Sequence, residues 1–159
     1  MTDAAAAVGE KRAAAPDADV RDTKVARTDE KDEEESTAPA ARLAKRKVAI
    51  FFGYCGTDYS GLQVNPGVKT IEGDIFDAFC RAGAVSKENA VNPNKVGLQR
   101  AARTDRGVHA AGNLLTLQVI LEPPQLPAGQ TLPPHVNSRL PDQIRIWCMR
   151  RVQSSFNAR

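Results

Sequence analysis

From residue 45 onward, the apolar positions of this chain fall into alternating strand-like and helix-like spacings. Lys47–Gly53 (KVAIFFG) is a short β-branched and aromatic run, which predicts a buried strand. Tyr54–Gly67 follows with Gly56, Gly61, Pro66 and Gly67, the composition of a loop with several special backbone positions. Ile71, Ile75, Ala78, Phe79 and Ala82 then recur at helical spacing behind Thr70, a residue suited to cap a helix start, and Gly83 can stop the helix. Ser86–Lys95 is polar and contains Pro93, so it predicts a second loop. Val96–Ala102 is a short strand candidate, and Leu114–Leu121 (LLTLQVIL) is the strongest strand signal. Pro123, Pro124, Pro127 and Pro133 break the pattern, and Pro134 can start a short helix to about Arg139. Ile144, Ile146 and Cys148 alternate with Arg145, Trp147 and Met149, which is strand periodicity. The order β-α-β-β-α-β over residues 47–152 predicts an α+β fold of the ferredoxin-like, split βαβ kind, an antiparallel sheet with helices on one face.

Charge divides the chain. Residues 1–44 hold seven Lys/Arg against eleven Asp/Glu and no aromatic residue, a net charge of −4. Such a segment cannot bury enough apolar surface to offset its ordering entropy, so a disordered charged tail is expected there, with one domain over 45–159. That domain holds fifteen basic and eight acidic residues, a net of +7 that the whole-chain value of +3 conceals. An excess of this size suits a nucleic-acid partner. Ala4–Val8 is too short for a secretory h-region, and the acidic flanks argue against a mitochondrial transit peptide. No run approaches the roughly 18 apolar residues of a membrane span, so a soluble protein is expected. Cys55, Cys80 and Cys148 are far apart and odd in number, which fits a reducing compartment rather than a disulfide framework or a zinc site. The two histidines, His109 and His135, do not complete a metal cluster with them.

Candidate chemistry concentrates in Ala102–Asn113 (ARTDRGVHAAGN). Asp105 stands between Arg103 and Arg106 and just before Gly107, with no apolar run around it. Two guanidiniums nearby would keep the acid ionised, as a nucleophile or general base requires, and would themselves suit a phosphate-bearing partner. Ala26-Arg27-Thr28-Asp29 repeats the first four letters but continues with Glu30, so the tetrapeptide alone carries no meaning.

The longer run resembles the catalytic segment of the TruA-type tRNA pseudouridine synthases, Arg-Thr-Asp-x-Gly-Val-His/Ser-Ala. Collinear segments extend the likeness: KVAIFFGYCGTDYSGLQVN at 47–65, KTIEGDIFDAF at 69–79, VNSRLPDQIRIW at 136–147 and SFNAR at 155–159. Gly61–Asn65 and Lys69–Glu72 are worded like the eukaryotic, Pus1-like branch. The resemblance covers about residues 45–159. It implies an isomerase that detaches uracil from ribose and rejoins it through C5, with tRNA as partner and neither cofactor nor metal. By the same likeness Asp105 is the catalytic residue, attacking C1′ or acting as base at C2′. Arg103 holds the flipped nucleotide, Arg106 adds positive charge, and Thr104 bonds backbone within the loop. Gly107 allows a turn that a Cβ would obstruct, and His109 stands at a position where the family accepts other residues. The resemblance further implies that the chain corresponds to the first part of an enzyme, inactive alone. Its only tyrosines, Tyr54 and Tyr59, do not match the family's base-stacking tyrosine. A nuclear location follows from the same branch.

Blander roles stand beside these. Asp58 in GTDYSG suits an Asx-type turn, with RNA contact as the lesser reading. His135 suits a helix-start surface position. Phe51, Phe52, Phe76 and Phe79 suit a core. Trp147 is open between the helical layer and a partner, and Lys45-Arg46-Lys47 reads as a solvated edge. The alternative function is a non-catalytic ferredoxin-like RNA-binding module, whose sign would be aromatics on the open sheet face. Val96–Ala102 and Leu114–Leu121 supply none.

Overall fold

The computed structural model describes residues 43–159. The expected tail at 1–44 lies outside the described residues except for its last two positions. Four strands and two α-helices follow: β1 Lys45–Tyr54, α1 Ile71–Arg81, β2 Gln99–Arg100, β3 Ala110–Ile120, α2 Leu132–Asn137 and β4 Ile144–Arg151, with a 3₁₀ turn at Pro93–Val96. The sheet order is β2-β3-β1-β4, every neighbouring pair antiparallel. Strand β3 therefore lies between β1 and β2, which is the split βαβ arrangement of a ferredoxin-like α+β fold.

Strand β1 is central and buries alternate residues, Val48, Ile50, Phe52 and Tyr54. These meet Leu115, Leu117 and Val119 of β3, Ile144 and Ile146 of β4, and the apolar faces of both helices in one core. Helix α1 buries Ile71, Ile75, Phe76, Ala78 and Phe79. Each such side chain contributes roughly 1.5–3 kcal/mol when taken from water. Thr70 caps α1 through its hydroxyl, which accepts from the Gly73 N–H at 3.2 Å. At the other end Gly83 N–H donates to Cys80 O and Ala84 N–H to Phe79 O, the paired bonds of a Schellman stop.

Several expectations shift. The strand expected over Val96–Ala102 shrinks to Gln99–Arg100, because Val96 belongs to the 3₁₀ turn. The strand expected from Leu114 begins at Ala110, four residues earlier. The short helix starts at Leu132 behind Thr131 and ends at Asn137. His135, expected at the surface, is buried inside α2. The alternation expected in β4 fails after Ile146: Phe52 pairs with Ile146 but Phe51 pairs with Cys148. Trp147 is the extra residue of a bulge, so Cys148 emerges to solvent. Phe51, expected in the core, is 43% exposed on the face opposite the helices. No helix among the described residues is long and apolar enough to cross a membrane.

Candidate active site

Two loops meet beside the end of β1. One runs from Cys55 to Thr70, and the other is the segment Ala101–His109 between β2 and β3. Main-chain bonds join them: Leu62 N–H donates to Thr104 O at 3.1 Å, and Gly107 N–H to Tyr59 O at 3.3 Å. The first loop is in turn fixed on α1, whose opening N–H groups at Ile71 and Glu72 donate to Gly61 O and Leu62 O. Those donors have no partner within the helix, so the loop satisfies them.

Close approach of the loops depends on Gly56, where an added Cβ would lie 2.0 Å from the Val108 carbonyl oxygen. Gly107 differs: nothing would meet its Cβ, but its φ of +76° is a conformation that other L-residues rarely adopt. The expected steric reason for Gly107 is thus replaced by a conformational one. Asp58 also has positive φ, +68°, at the third position of a turn closed by Tyr59 N–H on Gly56 O. That is the turn reading of Asp58, made by main-chain bonding.

Between the loops lies a cleft of about 380 Å³, walled by Ser60–Asn65 on one side and Arg103–Arg106 on the other. Among the described residues Asp105 is the only carboxylate lining it, and Arg103 and Arg106 are the only cations. All three are exposed. Among the described residues neither guanidinium forms an ion pair with Asp105. Exposed charges gain little from pairing over hydration, which leaves the two guanidiniums available to another anion.

Thr104 also departs from expectation. Its carbonyl bonds backbone, but its hydroxyl lies 2.7 Å from the Tyr54 hydroxyl at the end of β1. Tyr54 itself is buried and stacked on Phe52, centroids 5.7 Å apart, so the loop is tied directly to the core. Gly107 and His109 do not line the cleft. Asn113 supports it from β3 by donating to Ala102 O at 3.3 Å.

Sequence reasoning missed the buried carboxylate behind the cleft. Glu72 is wholly buried and accepts from Arg100 Nε and Nη2 and from Val64 N–H. Its helical position in α1 concealed it, since a glutamate in a first turn ordinarily serves the helix dipole. Behind the same wall, Tyr59 donates to Asp74 at 2.6 Å, and Lys69 Nζ sits 4.4 Å over its ring. Burial and the Asp74 carboxylate push the Tyr59 phenol above its usual range.

No protein-family model matches the chain. Curated proteins do. "tRNA pseudouridine synthase 1" of Kluyveromyces lactis is 48% identical over 143 residues, covering 83% of this chain and 25% of that protein. Its namesake in Candida albicans is 53% identical over 122 residues, 76% of this chain and 19% of the relative. "tRNA pseudouridine(27/28) synthase" of Saccharomyces cerevisiae is 43% identical over 110 residues, 69% of this chain and 28% of the relative. The chain thus spans about a quarter of the length of the curated relatives it matches. With half its residues identical across three quarters of its length, this chain is similar to one part of the proteins named tRNA pseudouridine synthase 1.

Proposed function

We propose that this chain carries the aspartate-bearing wall of a tRNA pseudouridine synthase, an isomerase that converts uridines of tRNA to pseudouridine. The observation that supports it is the convergence of Arg103, Asp105 and Arg106 on one open cleft. In the reaction the N1–C1′ bond of uridine breaks, the base turns, and a C5–C1′ bond forms. The proton lost from C5 is balanced by one gained at N1, so the change is an isomerisation. Asp105 enters as its carboxylate, either forming a transient bond to C1′ and releasing it to C5, or removing the C2′ proton. Either route needs the uridine out of its stack, at a cost of a few kcal/mol. Arg103 and Arg106 are placed to hold the phosphates on either side of the extruded nucleotide. Thr104 and Gly107 fix the loop, and His109 follows it at the start of β3 as a further RNA contact. The net charge of +7 over residues 45–159 supports binding to a polyanion.

The test uses the full-length protein. Asp105→Asn should abolish pseudouridine formation and leave tRNA affinity nearly unchanged. Appreciable turnover by that variant would remove Asp105 from the chemistry. We place the protein in the nucleus by its likeness to the eukaryotic branch, and a fluorescent fusion confined to another compartment would overturn that.

A further inference from the structure

We propose that a second cavity, sharing the Gln63–Val64 wall with the Asp105 cleft, takes the base of a nucleotide next to the target uridine and so selects the sequence that is modified. The proposal rests on the RNA-modifying reading of that cleft and adds a specificity pocket to it.

The cavity measures about 450 Å³ and lies between the loop ahead of α1 and the segment around the 3₁₀ turn at Pro93–Val96. Gln63 and Val64 line both it and the Asp105 cleft, so the two sites adjoin across one stretch of chain. Both sides of the cavity are held in place. On one, the Val64 N–H donates to the buried Glu72 carboxylate at 3.0 Å. On the other, Asn92 Oδ1 accepts the Asn94 N–H at 2.8 Å, and Val96 and Leu98 anchor the segment in the core. The pocket is therefore formed before a ligand arrives, which spares the ordering cost of binding.

Its lining selects a flat, neutral ligand with a hydrogen-bonding edge. Val64, Val91, Leu98 and two prolines, Pro66 and Pro93, form apolar walls, the kind of surface between which an unstacked base is held. Gln63, Asn92 and Asn94 add side-chain amides, whose paired donor and acceptor match the edge of a base. Among the described residues the only charges lining the cavity are Glu72 and Arg100, and they neutralise each other. A phosphate would meet a carboxylate there and no spare cation, so it is excluded by its own desolvation cost. Arg100 holds Glu72 through Nε and Nη2, which leaves Nη1 to donate to a base carbonyl or ring nitrogen. Single-stranded RNA is read on such edges once its bases are splayed apart. With a uridine in the Asp105 cleft, the shared wall puts this cavity within reach of the next base along the strand.

The test measures the affinity of the full-length protein for substrate RNAs that differ only in the base before, or the base after, the target uridine. At one of these two positions the best and worst bases should differ roughly five- to hundredfold. Val91 is 76% exposed, and Val91→Trp, whose indole would fill the cavity, should bring the four bases near equality by weakening only the preferred ones. Asn94→Ala, at a second exposed position, should narrow the spread while leaving the least favoured base unaffected. Thermal midpoints matching the native protein check that both variants fold. Equal affinity for all four bases at both positions would overturn the proposal. A spread that survives in both variants would do the same, including one that survives beneath a uniform loss of affinity, the sign of a merely structural effect. Binding is read without turnover, so failure of the Asp105 chemistry shows separately, as absent pseudouridine with the spread among bases intact.

Discussion

Glu72 and Arg100 form a two-pronged ion pair behind the cleft, and the carboxylate that makes it is wholly buried. The same carboxylate accepts the Val64 N–H at 3.0 Å. Arg100 lies three residues before Arg103 in the loop that holds Asp105, and Val64 belongs to the opposite wall. One side chain on α1 thus registers both walls of the site.

Removing that side chain leaves a largely buried guanidinium unpaired. Glu72→Ala should cost about 3–5 kcal/mol, a large fraction of a domain's stability. Replacing both partners with apolar residues, Glu72→Leu with Arg100→Met, should recover much of the loss. Urea unfolding of the three proteins checks this, and a double variant no more stable than Glu72→Ala would contradict it.

The hydroxyl pair Tyr54–Thr104, at 2.7 Å, ties the Asp105 loop to the core. Tyr54→Phe and Thr104→Val should each cost about 1 kcal/mol. Together they should cost less than the sum of the two, because they remove the same bond. A double-mutant cycle on urea midpoints measures that coupling, and strict additivity would show that the bond contributes nothing.

Two glycines of the site should respond differently to alanine. At Gly56 a Cβ would meet the Val108 carbonyl oxygen at 2.0 Å, main chain against main chain, so the loops must separate. At Gly107 there is room, and Gly107→Ala should cost only the left-handed backbone, about 1–2 kcal/mol. Gly56→Ala should therefore lower the thermal midpoint more than Gly107→Ala does.

His135 makes stability depend on acidity. Its burial and the nearby Arg139 hold it below the ordinary value of 6.5, with the Ala82 main chain opposing them weakly. Below pH 6.5 the unfolded chain therefore takes up a proton more readily than the folded one. The contribution of this group is intact above that pH and is lost as pH falls through the depressed folded value. Urea midpoints at pH 7.5 and 5.5 should differ more in the native protein than in His135→Gln, with the native protein the weaker at low pH.

Burial raises the Cys80 thiol to about 11, whereas the Thr57 hydroxyl and main chain lower Cys55. Near neutral pH, iodoacetamide should label Cys148 and Cys55 well before Cys80, as peptide mass spectrometry would show. Early labelling of Cys80 would mean that the α1 packing opens readily.

Local pattern alone was enough for much of this protein. Apolar spacing located β1, α1 and β4, Thr70 and Gly83 marked the ends of α1, and the strand–helix order implied the ferredoxin-like sheet. The run at 102–113 picked out Arg103, Thr104, Asp105 and Arg106 together, because neighbours along a tight loop stay neighbours in space. What lay beyond the sequence depended on pairing between distant segments. Ser60–Asn65 became the second wall through two main-chain bonds and the fit at Gly56. Glu72 became a bridge only once α1 packed beside β2. Cys148 reached the surface because a single extra residue in β4 shifted its register, and such a slip moves side chains from one face of a sheet to the other. Periodicity records which residues can share a face; which face is covered, and by what, is decided when the strands pair.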